Sequence, residues 1–395
     1  MTPAARIAAA AEILDDIVDG APAEKALTGW ARRSRFAGSK DRAAIRDHVF
    51  DALRCRRSFG LLGGAETGRA LMLGQMIADG RDPSNIFTGE GHAPAPLIPE
   101  EQALVARDPA QALFDAPRAV ACDMPDWVWP MLDASLPGQA EEVARNLRHR
   151  APVFLRVNMR KTDRARAIAD LAEDGIVAEP HPLAETALIL TEGARKVAQS
   201  GTYLDGHVEL QDAASQAVVA SLPLADGVRV LDYCAGGGGK TLAMAGRADA
   251  EFTAHDALPA RMKDLPERAE RAGVQVNVTD RPDGPYDIVL CDVPCSGSGA
   301  WRRSPDGKWR LTEEGFADLL GTQSEILDLA APFVAPGGVL AYATCSVLAP
   351  ENREQVEAFL SRHPEWELTT DRQWLPTDGG DGFYLAQLTR SGVTS

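Results

Sequence analysis

After Gln211 the sequence alternates between short apolar runs and helical stretches, and this alternation restricts the fold more than any other feature. The apolar runs are residues 228–231, 286–290 and 338–342. Strands that alternate with helices build a mostly parallel sheet with helices on both faces. We therefore predict an α/β, Rossmann-like domain over residues 201–395. Its ligands should bind beyond the carboxyl ends of the strands.

Two cysteines, Cys295 and Cys345, follow the second and third of these apolar runs. Because the carboxyl ends of neighbouring parallel strands meet at one edge of a sheet, we expect both thiols to face the same pocket. Asp292 precedes Cys295, and Pro294 between them restricts the chain so that the carboxyl group and the thiol are held in place. A buried cysteine is often only a small hydrophobic side chain, an explanation that suits Cys291 better than a residue at a strand end.

A glycine-rich turn follows the first apolar run and opens a helix, so its backbone amides can bind a ligand at the helix N-terminus. Gly239-Lys240-Thr241 fits a phosphate-binding P-loop, except that the first glycine position holds a cysteine. A dinucleotide fingerprint fails at its third glycine, where Thr241 stands. S-adenosylmethionine is a third interpretation, and a fourth is that the glycines only allow close packing of strand and helix. The turn consists of Cys234, Ala235, Gly236, Gly237, Gly238, Gly239 and Lys240.

Two acidic residues further along suit the S-adenosylmethionine interpretation. In related nucleotide folds, an acidic residue about 20 positions beyond the turn binds the ribose hydroxyls. Asp256 has this spacing and follows an apolar run. Asp280 follows the next run and is a candidate for contact with the adenine.

The earlier part of the chain has two different textures. Residues 1–133 have apolar positions at spacings of three and four, as in Ile45, Val49 and Leu53, which predicts an all-α domain. Residues 134–200 combine helical stretches with β-like runs at 153–157 and 186–190, which predicts a small α+β insert.

The formal net charge of -16 alone argues against a polyanionic partner, but the positive charges are clustered. Residues 145–166 hold eight basic side chains against a single acid, and residues 32–57 hold nine against three. Solvation of helix faces is the alternative explanation.

Six cysteines without short-spaced pairs, no secretory signal and no apolar run near the roughly 20 residues of a membrane span lead us to expect a soluble, cytoplasmic protein with reduced thiols. We expect no membrane partner and no metal, because no Cys-x-x-Cys or histidine pair accompanies the cysteines.

At these motifs the chain resembles the RNA cytosine-5 methyltransferases related to ribosomal RNA small-subunit methyltransferase B. Gly236 and Gly237 stand where the first motif of that family usually has Ala-Pro. More weakly, residues 41–54 are similar to a NusB-like helical domain and residues 154–158 to the RNA-binding insert of the family. The matching motifs are residues 208–216, 231–241, 292–299, 302–305, 344–346, 351–352 and 381–384.

The resemblance implies an S-adenosylmethionine-dependent methyltransferase domain preceded by an all-α NusB-like RNA-binding domain and a small α+β RNA-binding insert. It also implies methylation of carbon 5 of cytosine in RNA, above all ribosomal RNA. A thiolate that adds to carbon 6 makes carbon 5 nucleophilic, and the resemblance implies Cys345 as this nucleophile and Cys295 as the releasing residue. Lys240 is a candidate for lowering the thiol pKa, and Asp292 for acting at the ring nitrogen.

The target cytosine must be single-stranded or extruded from a helix to meet both thiols. We predict RNA backbone contacts at Arg156, Arg160 and Lys161, with Arg302 and Arg303 nearer the catalytic mouth. We also expect a monomer. A non-catalytic RNA-binding assembly protein that keeps the cofactor fold is the alternative function, and a P-loop nucleotidase is disfavoured by Cys234.

Overall fold

The computed structural model describes residues 1–390, and these residues group into two compact units. The first unit comprises Met1–Arg150 together with Trp301–Leu311. The second comprises Ala151–Ala300 and the chain from Thr312 onward. The compact units have a boundary at residue 150, whereas the sequence analysis places domain boundaries at residues 133 and 200. The three-part division stays a prediction.

The first unit is helical from its start to Arg150, as the apolar spacing predicts. Its first helix begins at Pro3 because the Thr2 side chain accepts a hydrogen bond from the Ala5 amide, and its buried face includes Ile13 and Leu14. No helix in residues 1–390 combines the length and the apolar character that crossing a bilayer requires. The helices are α1 (Pro3–Val18), α2 (Ala23–Arg33), α3 (Ser39–Arg54), α4 (Arg56–Gly63), α5 (Gly68–Ala78), α6 (Pro99–Val105), α7 (Pro109–Phe114), α8 (Arg118–Ala121), α9 (Val128–Ser135) and α10 (Ala140–Leu147).

The second unit opens with a four-stranded antiparallel sheet, which confirms the predicted α+β insert. Its strand order is β2-β3-β1-β4, and Asp163 caps its helix by accepting a hydrogen bond from the Arg166 amide. The elements are β1 (Val153–Val157), α11 (Arg164–Glu173), β2 (Val177–Pro180), β3 (Ala187–Glu192), α12 (Gly201–Leu204) and β4 (Val208–Leu210).

A seven-stranded sheet with helices between its strands forms the rest of the second unit. Its order is β10-β11-β9-β8-β5-β6-β7, with β5 to β9 mutually parallel, which confirms the predicted α/β fold. The elements are α13 (Ala213–Ala220), β5 (Arg229–Asp232), α14 (Gly239–Ala245), β6 (Glu251–Ala254), α15 (Leu265–Ala272), β7 (Asn277–Val278), β8 (Tyr286–Asp292), α16 (Pro305–Arg310), α17 (Glu313–Ala330), β9 (Val334–Thr344), α18 (Arg353–Arg362), β10 (Trp366–Trp374) and β11 (Phe383–Arg390). Of these, α16 belongs to the first unit.

The strand order of this sheet reverses between β5 and β8. From β5 the chain runs outward through β6 and β7, and it then returns to β8 on the other side of β5. Such a reversal opens a crevice at the carboxyl ends of the two strands, where ligands of open α/β sheets bind.

Candidate active site

The sulfur atoms of Cys295 and Cys345 lie 3.4 Å apart. The two residues follow the neighbouring parallel strands β8 and β9, which are in register at Asp292 and Ala343, so both chains leave the sheet side by side. All six cysteines are free thiols, and both members of this pair are partly accessible. The prediction that the two thiols meet is therefore confirmed.

The loop after Cys295 is packed tightly against its neighbours at Gly299. The Gly299 amide donates to the carbonyl of Cys345 at 3.0 Å, and its own carbonyl accepts from the Gly382 amide at 2.9 Å. A Cβ atom at Gly299 would lie 2.1 Å from the Gly382 carbonyl oxygen, so the close approach requires glycine.

The buried carboxylate of Glu351 joins the two cysteine loops. Each cysteine is followed by a serine, and the hydroxyls of Ser296 and Ser346 both donate to Glu351 Oε2 at 2.5 Å. The Ser296 amide donates to Oε1 at 2.7 Å. One side chain thus fixes the residues next to Cys295 and Cys345. In the sequence Glu351 stands out only as part of a motif, without a role at the site.

Further hydrogen bonds hold the loop that carries Cys345. The Thr344 hydroxyl donates to Asn352 Oδ1 at 2.6 Å, and Asn352 Nδ2 donates to the carbonyl of Ser346 at 3.0 Å. The hydroxyls of Ser298 and Ser346 lie 2.8 Å apart and share a hydrogen bond. These partners are buried, so the chain is held on both sides of Cys345.

The two thiols have different surroundings. The pKa of Cys295 is raised well above its usual value by the hydrogen bond with Cys345, by burial, and by the negative charges that Cys345 and Glu351 would carry beside it. Two sulfurs at this distance cannot both ionise easily, because like charges repel. Cys295 therefore keeps its proton.

Lys240 and Asp292 form a partly buried ion pair, with 2.7 Å between Nζ and Oδ2. Lys240 lies in the first turn of α14, Asp292 ends β8, and the ammonium lies 4.8 Å from the centre of the Phe383 ring. Burial lowers the pKa of Lys240, but the negative charges of Asp292, Cys345 and Asp232 outweigh it, so the net shift is upward. Lys240 therefore remains a cation at the cysteine site.

Two residues of the glycine-rich turn adopt a backbone conformation that favours glycine. Gly236 and Gly238 have φ values of 51° and 77°, which lie in the left-handed region. A Cβ atom at Gly238 would lie 2.2 Å from Leu265 Cδ1. Burial, together with nearby carboxylates, raises the pKa of Cys234, so this thiol in the turn stays protonated.

Asp232 is a site residue to which the sequence analysis gives no role, although it lies in the motif 231–241, two residues before the turn. It ends β5, is 1% exposed, and accepts a hydrogen bond from the Thr241 hydroxyl at 2.6 Å through Oδ2. Its other oxygen, Oδ1, is buried without a hydrogen-bond partner in the described chain. Burial and the neighbouring Asp292 raise its pKa to about 7. An orphaned buried acceptor beside a glycine turn suits a bound group that carries a donor or a positive charge.

Asp256 and Asp280 lie beyond the carboxyl ends of β6 and β7, as the cofactor interpretation requires. Asp256 is 3% exposed, and its carboxylate accepts from the amides of Gly236 and Leu258, both at 2.9 Å. Arg261 pairs with it at 3.2 Å. Asp256 thus shapes the glycine turn itself. Asp280 is exposed.

The predicted RNA contacts of Arg156, Arg160 and Lys161 stay a prediction, and the structure shows which partners within the protein these side chains have. Arg156 is buried and donates to Gln211 Oε1 and to the carbonyl of Gly239 in the glycine turn. Burial lowers its pKa to about 10, so it remains charged. Arg160 donates to carbonyls just after α14 and to Asp249, and Lys161 donates to the carbonyls of Asp205 and Arg271. These donors satisfy carbonyls at helix ends and turns, which need such partners, while Arg160 and Lys161 remain exposed.

Arg302 and Arg303 belong to the first compact unit. Arg302 is 4% exposed and donates to Asn146 Oδ1 at 3.0 Å, while its carbonyl accepts from Arg54 Nε at 2.7 Å. Arg303 is half-buried. Arg302 is therefore committed to packing within that unit, and its predicted RNA contact is not supported.

Known protein families and individual proteins are similar in sequence to this chain. Residues 219–389 match the family described as 16S rRNA methyltransferase RsmB/F, and residues 124–197 match the ferredoxin-like domain of RsmF/B-like methyltransferases. The chain is 35% identical over 284 residues to ribosomal RNA small subunit methyltransferase B of Yersinia pestis and 36% identical over 284 residues to that of Erwinia tasmaniensis. Each alignment covers 67% of this chain and 66% of the relative, so the chain spans slightly less than two thirds of their length.

Two solved structures share the fold at low sequence identity. The protein PH0851 aligns over 99% of both chains with a TM-score of 0.74 and 22% identity. NSun6 from Pyrococcus horikoshii, solved with SFG, aligns over 68% of this chain and 99% of its own with a TM-score of 0.61 and 16% identity. At these identities the likeness concerns the fold alone.

Proposed function

Because the chain belongs to the RsmB/F-type family of RNA cytosine-5 methyltransferases, we propose that it methylates carbon 5 of a cytosine in ribosomal RNA, with S-adenosylmethionine as the methyl donor. The observation that carries the proposal is the pair of sulfurs 3.4 Å apart at the ends of two adjacent strands. Carbon 5 of cytosine is a poor nucleophile, and a thiolate added to carbon 6 is what activates it.

Cys345 is the nucleophile in this proposal. Its neighbour Cys295 keeps its proton, and the cationic Lys240 interacts electrostatically with the charge that a Cys345 thiolate carries. The thiolate forms a bond to carbon 6, and the electron pair of the ring double bond moves toward carbon 5 and the ring nitrogen.

Asp292 handles the charge that develops on the ring. Its side chain is 31% exposed, so it is accessible to a base in the pocket, and Lys240 fixes its orientation through Oδ2. The ring nitrogen is a hydrogen-bond acceptor, so Asp292 acts on it as a carboxylic acid, which donates its proton through the oxygen that Lys240 leaves free while the thiolate adds.

Cys295 assists release. After methylation, solvent water takes the proton from carbon 5, the electron pair of that bond forms the ring double bond again, and the bond between carbon 6 and sulfur breaks, which leaves Cys345 as a thiolate. The Cys295 sulfur lies within hydrogen-bonding distance of the departing thiolate, at 3.4 Å before reaction. Its hydrogen bond stabilises that thiolate as it leaves.

The residues around the glycine turn fit the proposed cofactor. The turn at 234–240 offers backbone amides, the orphaned Oδ1 of Asp232 offers an acceptor for a cationic group, and Asp256 and Asp280 stand beyond the next two strands. When bound, S-adenosylmethionine supplies an electrophilic methyl group. Family membership favours this interpretation over the phosphate-binding and dinucleotide alternatives.

The proposal is tested with small-subunit ribosomal RNA that carries tritium on carbon 5 of cytidine. Incubation with methyl-labelled S-adenosylmethionine should release one tritium to water for each methyl group incorporated, because methylation replaces that hydrogen. Methyl incorporation without tritium release would show that another atom is modified. Absence of both signals would favour the non-catalytic RNA-binding alternative.

A further inference from the structure

A groove on the helical unit is lined by arginines and has a volume of about 490 Å³. It lies between α2, the loop that follows it, and α3, and it falls in the basic island at residues 32–57. Trp30 and Ile45 contribute apolar lining, and the charged lining consists of Arg32, Arg35, Arg42 and Arg46.

These four arginines differ in the hydrogen bonds and ion pairs that they already form within the protein. Arg46 forms a two-bond ion pair with Glu24. Arg42 donates through Nε to the carbonyl of Ala37 at 3.0 Å. Arg32 and Arg35 are exposed and form no side-chain hydrogen bond or ion pair within residues 1–390. Two guanidinium groups are therefore available to a ligand.

The acidic side chains on the elements that line the groove are already paired. Asp41 binds the N-terminal ammonium and Arg6 at 2.8–3.2 Å, and Asp47 pairs with Arg150 at 3.1 Å. Glu24 is held by Arg46. The groove thus stays positive on a chain whose net charge is -16, and such a local field attracts a polyanion.

An exposed aromatic ring stands next to these charges in the chain. Phe36 is 76% exposed and directly follows Arg35. An isolated exposed phenylalanine needs no explanation, but a ring beside unpaired arginines is the combination that binds single-stranded nucleic acid, because bases stack on rings while cations follow the phosphates. An acidic protein segment would form ion pairs with the arginines but would not need the phenylalanine ring.

We propose that this groove binds the sugar–phosphate backbone of single-stranded RNA through Arg32 and Arg35, while Phe36 stacks on a base. The inference rests on the proposed function, to which it adds an RNA contact remote in sequence from the thiol pair. It places this contact in the basic island at residues 32–57.

The test compares full-length variants in binding to a fluorescent single-stranded RNA of about 16 nucleotides, by anisotropy at several potassium chloride concentrations. The double variant Arg32→Ser/Arg35→Ser should bind more weakly. Its salt dependence should be shallower by about 1.4, which is about 0.7 for each phosphate that an arginine no longer neutralises. Phe36→Ala should weaken binding by about tenfold without a change in that slope.

A matched control removes two other exposed arginines from the same unit, Arg81 and Arg107, as Arg81→Ser/Arg107→Ser. This variant should retain the affinity and slope of the wild type. Wild-type behaviour of the Arg32→Ser/Arg35→Ser variant, or equal losses in the control, would overturn the proposal. So would a Phe36→Ala variant that keeps full RNA affinity, particularly if a poly-glutamate peptide then competes for the groove.

The outcome separates this inference from the proposed function. If the wild type transfers methyl groups and the groove variants bind RNA normally, only the groove proposal fails. If the wild type binds RNA through the groove but transfers no methyl group, only the catalytic proposal fails.

Discussion

Glu351 shows how a single buried residue controls the geometry of a two-thiol site. Four donors on two loops and one helix surround its carboxylate, and two of them are hydroxyls of the serines that follow the cysteines. Hydrogen bonds to a charged group are worth about 1.5–3 kcal/mol each. The sulfur separation therefore depends on a residue that does not touch the reacting ring.

We expect Glu351→Gln to slow catalysis more than it weakens cofactor binding. The amide NH₂ of glutamine faces donors where Glu351 accepts, so the loops shift, and a displacement near 1 Å can cost about 100-fold in rate. Methyl transfer at saturating substrates gives the rate, and calorimetry with S-adenosylmethionine gives the affinity. The control Glu354→Gln alters an exposed residue of α18 and should leave both unchanged. A normal rate in the Glu351 variant would show that the clamp is dispensable.

Asp232 predicts a specific pH dependence of stability. Its pKa is about 7 in the folded chain against 3.8 as its usual value, so the folded chain binds this proton more tightly than the unfolded chain does. The resulting stability is complete at low pH and is lost as the pH rises through the window between these values, by roughly 4 kcal/mol at most.

Urea unfolding of the cofactor-free protein at acidic and mildly alkaline pH, on either side of this window, tests the sign. The wild type should lose stability relative to Asp232→Asn as the pH rises, because the variant has no proton to release. If the free energy of unfolding of the wild type instead rose relative to that of Asp232→Asn over this range, the proposed environment of Asp232 would be contradicted.

At the level of elements, the connection from β5 to α14 depends on Gly238. We expect Gly238→Ala to destabilise the protein by about 1–3 kcal/mol and to weaken S-adenosylmethionine binding, because its φ of 77° is strained for alanine and its Cβ would meet Leu265. Thermal unfolding and calorimetry measure the two effects. Gly246→Ala is the control, since Gly246 ends the same helix at a φ of -73° with only ordinary contacts near its Cβ position. Equal behaviour of the two variants would refute the role of the turn.

The strands that carry the site were predictable because they are short apolar runs followed by residues that are typical of turns and loops. The runs at 228–231, 286–290 and 338–342 fall within or overlap β5, β8 and β9. The antiparallel pair β10 and β11 was not predicted. Trp366–Trp374 is largely polar between its ends, since most of its residues are partly or fully exposed, so hydropathy gives little signal there.

Local sequence could not predict which charged residues act at a surface. Arg156 and Arg32 both lie in basic islands, yet Arg156 is buried against Gln211 and the glycine turn, whereas Arg32 is exposed. The difference arises from contacts between residues 55 and 83 positions apart. For the same reason, the role of Glu351 across two loops could not be read from its motif.

On the scale of the whole molecule, the helical unit is discontinuous in sequence. The segment 301–311 packs with helices far earlier in the chain: Lys308 Nζ donates to the carbonyl of Asp123 at 2.6 Å, and Trp309 Nε1 donates to that of Leu53 at 2.6 Å. Burial lowers the pKa of Lys308 to about 8. This unit therefore completes its core only after the chain has passed Cys295.

We expect residues 1–150 alone to melt several degrees below the same fragment fused through a flexible linker to residues 301–311. The fused segment restores the two hydrogen bonds and covers the apolar surface against which Trp309 packs. A fusion with Lys308→Ala and Trp309→Ala controls for the linker and should melt like the bare fragment. Identical melting of all three would show that the segment adds nothing to the unit.

The central claim is that two thiols act in turn on one cytosine. Its most direct test is covalent capture of RNA by variants that each lack one of these two cysteines. Denaturing electrophoresis after incubation with ribosomal RNA and S-adenosylmethionine separates the protein–RNA adduct from free protein. Cys295→Ala should accumulate the adduct because release is impaired, and Cys345→Ala should form none because the nucleophile is absent. An adduct in Cys345→Ala, or none in Cys295→Ala, would contradict the assignment.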